Sequence, residues 1–465
     1  MNKVRPLALS RNDDEIKEAF AGDLLGRLKL AKQITGYLER LKEGAVLAID
    51  APWGEGKSWF GRNWAKYLES NTNNHKVIFI NAFEQDYVED PFLLIAAEIN
   101  SLIKEGKIKK EFKENFIDVT KALAPNLSEI AINYVKRKLI EDNKDLPEEA
   151  EDIAKIIADK LIEKKLKDFE KDKNSFRNFK IKLGEFCNKQ PRPVVIFIDE
   201  LDRCRPTFAV KIIERIKHLF DVPNLVFVLL LNRIQLENAI QGVYGSNTDA
   251  ATYLRKFVNL FLRLPKVYSY NFYSEKHPTA KYIANVLKRY EFEASSAVGM
   301  SRHGLAEFDH FKDNNVNDFK KHLTFCAIEM DMSLRDIEHA CALFVMANVI
   351  NEQTGFIAYL ISIKIKDVDL YSRLLRNESQ AHEDAAKRLD SRIDLKKLKE
   401  KEWPTIFFKV IQELHLYYAN NTEPRNAEKY HYLSLYQNKI FDSFGYETLF
   451  QRVFDMIDLP IELEQ

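Results

Sequence analysis

Residues 51–60 read APWGEGKSWF and follow directly on the apolar run VLAID at 46–50. An apolar run, a loop with two glycines and then WFGRNWAKYL, with Phe60, Trp64 and Leu68 at helical spacing, predict a strand, a loop and a helix. In such a unit the loop amides and the free N–H groups of the first helical turn converge on anionic oxygens. Gly54 and Gly56 let the backbone turn and approach closely without a Cβ clash. Lys57 would meet the β- and γ-phosphates of a nucleotide as a cation, and Ser58 would offer its hydroxyl to Mg²⁺. Trp53, Glu55 and Trp59 complete the set of candidate nucleotide-contacting residues in this stretch. The strict glycine-rich pattern has Gly where Ala51 stands; Pro52 biases Ala51 toward an extended conformation, so the glycine is dispensable if that position needs no positive φ. Gly-Lys-Ser alone is a common tripeptide, and a simple tight turn stays open until a second element joins it.

Working outward, four more apolar runs alternate with helical stretches: KVIFIN at 76–81, VVIFID at 194–199, LVFVLLL at 225–231 and NLFLRLP at 259–265. Runs that are apolar at every position are strands buried on both faces, the mark of a parallel sheet flanked by helices. The expected fold is therefore an α/β domain.

The second element is VVIFIDELDRC. It sets Asp199 and Glu200 at the C-terminal edge of a buried parallel strand, where ligands bind in open α/β sheets. Asp199 would hold the Mg²⁺, and Glu200 would polarise an attacking water. Read alone, the pair is equally an ordinary helix N-terminus; read with the upstream loop, it argues for phosphoryl transfer to water. A third element is Asn232, the polar end of LVFVLLLN. It would sense the γ-phosphate or orient the water if its strand lies between the first and the Asp199 strand; the alternative is a turn residue.

Between 77–81 and 194–198 lie more than a hundred residues of charged sequence with helical spacing, including EIAINYVKRKLI and EDIAKIIADKLIEKKLKDF, with Asp145 and Glu148 as a helix-start signal. This predicts a helical insertion at 98–188 in a core formed by 1–97 and 189–266. After Pro265 the strand signal fades and amphipathic segments take over, predicting a lid-like helical domain at 267–374 and a C-terminal all-helical region at 375–465. The stretch 375–402 is charged throughout and suits a solvated helix or connector.

Lys+Arg and Asp+Glu both number 70, so no global field draws the chain to nucleic acid or an anionic membrane. No run approaches the length of a membrane span or a signal-peptide core, which predicts a soluble cytoplasmic protein. Cys187, Cys204, Cys326 and Cys341 show no paired spacing and predict buried thiols rather than a disulfide frame or zinc site.

The arrangement resembles the KAP family of P-loop NTPases, which belongs with AAA-like and STAND-like ATPases that carry an extra strand between the two nucleotide-binding strands. The resemblance rests on DLLGRLKLAKQITGYLERL ahead of the loop, APWGEGKS, NAFEQDYVEDPF, IDELDRC, LVFVLLLNR and YLRKFVNLFLRLP, and covers about 20–110 and 190–375. It implies a parallel-sheet P-loop NTPase core, ATP with Mg²⁺, and ATP hydrolysis. It implies Lys57 and Ser58 at the phosphates, Asp199 and Glu200 at the water, and Asn232 as a sensor. It also implies Arg255 in YLRKF acting across a subunit boundary, so that self-assembly or a protein partner would govern turnover; a surface salt bridge is the plain alternative. MSLRDIEHACALF resembles the S-x-R segment of the helical lid in such ATPases, making Arg335 a second candidate sensor, against an exposed Arg after an N-cap Ser333. Two departures stand out: Ala51, and a charged stretch where many members carry transmembrane helices. The leading expectation is an ATP-driven conformational switch, with a role in bacterial defence or phage exclusion by resemblance. The rivals are a nucleotide-stabilised scaffold with little turnover, a nucleic-acid-associated ATPase and a small-molecule kinase.

Overall fold

The computed structural model describes residues 16–103, 111–120, 134, 169–266, 277–290, 313–347, 354–392, 403–420 and 449–458, leaving out single positions 71, 89, 113, 117, 218 and 220. It divides into two compact units, one spanning Asn12–Pro265 and one built mainly from Lys266–Gln465.

The first unit is built on a five-stranded sheet with the order β2-β3-β4-β1-β5. Its strands are β1 (Ala45–Asp50), β2 (Val77–Asn81), β3 (Val194–Asp199), β4 (Leu225–Leu231) and β5 (Leu260–Arg263), one for each apolar run of the sequence. All pairings are parallel. β4 lies between β1 and β3, so the strand carrying Asn232 separates the loop strand from the Asp199 strand.

Alternation along each buried strand divides the core into two layers. Val46, Ala48, Ile196, Ile198, Phe227 and Leu229 face one layer, while Leu47, Ile49, Val195, Phe197, Val228 and Leu230 face the other. The second layer is closed by α1 (Arg27–Leu38) and α2 (Lys57–Glu69), through Ala31, Ile34 and Leu38 and through Phe60, Trp64 and Leu68. The first layer is closed by α3 (Pro91–Leu102), α4 (Phe169–Asn188) and α5 (Pro206–Lys217), with α6 (Arg233–Tyr244) and α7 (Ala250–Arg255) after β4. α3 begins where the sequence says it should: Asp90 accepts from the Phe92 N–H at 2.9 Å and Pro91 occupies the first turn, where no backbone donor is needed. α2 passes so close to β4 that a Cβ on Gly61 would lie 2.1 Å from Leu230 Cδ1.

Of the segments read as an insertion, EIAINYVKRKLI apart from Tyr134, Asp145, Glu148 and most of EDIAKIIADKLIEKKLKDF lie outside the described residues. The second unit is helical throughout its described residues, with helices at Pro278–Tyr290, Asp313–Glu329, Leu334–Ala347, Thr354–Lys366, Val368–Leu375, Ser379–Arg392, Trp403–Asn420 and Leu449–Asp458. Part of the charged stretch 375–402 is thus helix, Ser379–Arg392, and 393–402 lie outside the described residues. The interior of the second unit holds a buried polar line in which Tyr359 Oη meets His415 Nε2 at 2.8 Å and His415 Nδ1 meets His382 Nδ1 at 3.0 Å. All four cysteines are buried and free, as their spacing predicts, and burial pushes the Cys187 thiol up to about 12. Among the described residues no helix is long and apolar enough to cross a membrane.

Candidate nucleotide-binding site

β1 and α2 deliver the loop APWGEGKS to the C-terminal edge of the sheet. Gly54 and Gly56 take φ of 84° and 76°, the left-handed region where a side chain is penalised. Ala51 is not among the positive-φ residues; it is buried and its N–H donates to the Leu231 carbonyl at 3.2 Å. The missing first glycine is thereby explained, since position 51 continues the extended strand.

Lys57 is buried, and its Nζ donates to the carbonyls of Ala51 at 2.8 Å and Pro52 at 3.1 Å. Burial pulls its pKa down, opposed chiefly by the carboxylates of Asp202 and Asp199 and more weakly by Asp50. An ammonium thus faces the Asp199 strand end, close enough to feel it. Asp199 is buried at the tip of β3; its Oδ1 accepts from the Glu200 N–H at 2.9 Å, and its Oδ2 is buried with no hydrogen-bond partner among the described residues. Burial pushes its carboxyl up to about 6, and the Ser58 hydroxyl facing it is the main opposing influence. Ser58 and Asp199, expected from sequence as the two cation-holding groups, are therefore neighbours.

A buried carboxylate oxygen with no donor, beside a hydroxyl and a lysine, fits a divalent cation delivered with a phosphate chain. Among the described residues no cluster of three or more His, Cys, Asp or Glu could hold a metal unaided.

Glu200 takes φ 58°, a left-handed conformation uncommon for a non-glycine residue. Its carboxylate Oε1 lies 2.7 Å from Arg203 Nη1. Asn232 begins α6 without capping it through its side chain, and Asp50 Oδ1 accepts from the neighbouring Arg233 N–H at 2.9 Å, tying the ends of β1 and β4 together. Trp53 is exposed, and its indole N–H donates to Asp202. The Glu55 side chain is buried, and Trp59 packs edge-on to Phe20 with ring centroids 5.8 Å apart. Arg255 stands exposed in the last turn of α7. Arg335 belongs to the second unit and is exposed in a helical first turn. There Ser333 and Asp336 cap one another, Asp336 N–H to Ser333 Oγ at 3.1 Å and Ser333 N–H to Asp336 Oδ2 at 2.8 Å.

Two residues that sequence reasoning passed over belong to the site. Arg27, only 3% exposed, donates from Nη2 to the Glu55 carbonyl at 2.8 Å and from Nη1 to the Gly56 carbonyl at 3.1 Å. With those carbonyls turned toward α1, the loop is held in a fixed peptide orientation. The signal was present in the sequence: Arg27 shares the stripe of Ala31, Ile34 and Leu38, and a charge on an apolar helical stripe demands a buried acceptor. Asp202 is the other; its proximity to Lys57 and Trp53 depends on how the turn after β3 folds.

A loop with two left-handed glycines after the first strand of a parallel sheet, an acidic tip on another strand and a strand inserted between the two are the arrangement of a P-loop NTPase. The family model described as the KAP family P-loop domain matches residues 27–275, and the chain belongs to this family. No curated protein matches the chain. Among solved structures it is similar to the Aeropyrum pernix ORC2 protein in its ADPNP–ADP complexes, at 10% identity over 97% of each chain with a TM-score of 0.32. At that score the likeness carries no argument for this chain.

Proposed function

We propose that the protein binds ATP with Mg²⁺, hydrolyses it, and uses the cycle as a conformational switch toward a protein partner or further copies of itself. The observation that carries this reading is the parallel order β3-β4-β1, which brings the loop after β1 and the Asp199 end of β3 to the same edge of one sheet, with the Ser58 hydroxyl beside the Asp199 carboxyl. In this reading the loop amides, Gly54, Gly56 and Lys57 bind the phosphates, and Trp53, Glu55 and Trp59 border them. Ser58 and Asp199 hold the cation, which neutralises charge developing on the phosphates. Glu200 takes the proton of the attacking water, with Asn232 orienting it. Arg255 from a neighbouring copy completes the site, Arg335 in the lid-like region 267–374 acts as a second sensor of the nucleotide state, and 98–188 and 375–465 carry the output. Phage exclusion, suggested by the family resemblance, is tested by plaque counts on cells expressing wild-type or Lys57→Ala protein.

Phosphate release decides the central claim. Wild-type protein should release phosphate at least about a hundredfold faster than Glu200→Gln while both bind ATP, a factor typical of losing a positioned base. Equal rates with binding intact would favour the nucleotide-stabilised scaffold. That second reading has one observation behind it: Glu200 is tied to Arg203 rather than free to meet water.

A further inference from the structure

The turn after Asp199 joins the two halves of the site in a way the ATPase reading leaves unused. Leu201–Arg203 form a single 3-10 turn with Glu200 as its cap. Arg203 grips Glu200 twice, through its backbone N–H to the Glu200 carbonyl at 3.0 Å and through Nη1 to Oε1 at 2.7 Å. At its own N–H, Glu200 is held by Asp199 Oδ1. The residue proposed to polarise water therefore has its carboxylate Oε1 engaged by a guanidinium.

We infer that Arg203 is a positioning residue that restrains Glu200 until the γ-phosphate of a nucleoside triphosphate draws its guanidinium away. The inference rests on the ATPase reading and adds the device that makes hydrolysis conditional on a triphosphate. Three features support it. The side chains of Arg203 and Glu200 are 35% and 18% exposed, and ion pairs of that exposure are weak enough to exchange partners. A terminal phosphate offers the guanidinium fork more charge and more acceptors than a carboxylate does. The next residue in the same turn, Asp202, touches the loop through the Trp53 indole and acts on Lys57, so the turn already communicates with the phosphate end of the cradle. ADP, lacking the γ-phosphate, offers Arg203 nothing to exchange for.

The test is a double-mutant cycle on nucleotide binding with the full chain, read by calorimetry with ADP and with a non-hydrolysable ATP analogue, and with thermal unfolding of each variant as the folding control. Arg203→Ala should weaken the analogue about tenfold, the loss of a charge-assisted contact, and leave ADP unchanged. Arg203→Lys should recover part of that loss. Glu200→Ala should tighten the analogue about two- to fivefold, because a weak ion pair need no longer be broken. That gain should vanish when Arg203→Ala is also present. A gain that persists in the double variant, or equal effects on ADP and the analogue, overturns the restraint while leaving ATP binding intact. Absence of any nucleotide binding by the wild-type chain overturns both the restraint and the reading beneath it.

Discussion

Arg27 Nη2 donates to the Glu55 carbonyl at 2.8 Å, so the helix ahead of β1 holds the phosphate loop by its backbone. The guanidinium is buried, and its fork spans two consecutive carbonyls, Glu55 and Gly56. Arg27→Ala removes the guanidinium donor from both carbonyls, of which Gly56 keeps the Phe60 N–H at 3.0 Å, and should destabilise the first unit by about 1.5–3 kcal/mol, as expected for hydrogen bonds to a charged group. ADP affinity should fall with it, since the loop loses its anchor. Arg27→Lys restores a charge without the fork and should recover only part. Chemical denaturation and ADP calorimetry check this; an Ala variant with wild-type stability and affinity would refute it.

Gly61 is the contact between α2 and β4. A Cβ there would stand 2.1 Å from Leu230 Cδ1, far inside any real contact. Gly61→Ala should therefore cost about 1–3 kcal/mol by overpacking, despite the better helix propensity of alanine. Leu230→Ala opens the space, so the double variant should be more stable than the sum of the two single losses predicts. Strict additivity in urea titrations would count against the close approach.

Asp199 carries a buried oxygen without a donor, a cost that the metal-free protein bears. Asp199→Asn should raise stability in EDTA by about 1–3 kcal/mol. The same variant should lose the added stabilisation that Mg²⁺ with ADP confers on wild type. Melting curves with and without Mg²⁺–ADP provide the measurement. A variant that still gains the full Mg²⁺-dependent shift would remove Asp199 from the cation site.

His382 introduces a pH dependence in the second unit. Unfolded, it titrates near its ordinary 6.5, whereas burial in the fold pulls it down to about 4. His415, fully buried against it, is pulled well below its ordinary value by burial and by His382. The fold thus prefers neutral imidazoles, so this contribution to stability is fully present above about pH 6.5 and is lost as the pH falls toward 4. For His382 the loss amounts to about 3 kcal/mol. Urea unfolding of the full chain at pH 7 and pH 5 should show the fall, and His382→Gln should lessen it, the remainder coming from His322, which burial also pulls down to about 4, and from His415. A profile equally steep in the variant would place the titration elsewhere.

Much of the first unit was legible because β1, β3 and β4 are buried along nearly their whole length; β2 and β5, at the two edges of the sheet, are only part-buried, although their sequences read as equally apolar. VLAID, KVIFIN, VVIFID, LVFVLLL and NLFLRLP carry no polar alternation, and each is a strand of one parallel sheet. The loop was legible for the same local reason: Gly54 and Gly56 occupy positive φ, and Ala51, held extended before Pro52, does not. Arg27 was harder to read, although its place on an apolar stripe signalled a buried partner.

Local chemistry in the sequence therefore determined which segments are strands, which backbone positions need glycine, and which end of each strand carries a charge, because all three depend on neighbours within a few residues. The order of the strands, with β4 between the loop strand and the Asp199 strand, was implied only by the family resemblance and not by any local pattern; the tertiary pairings decide it. The hold of Arg27 on the loop, the pairing of Trp53 with Asp202, and the facing histidines 382 and 415 came only with the tertiary structure. These join residues separated by tens to hundreds of positions, and no periodicity or spacing encodes which distant partner burial will bring into reach.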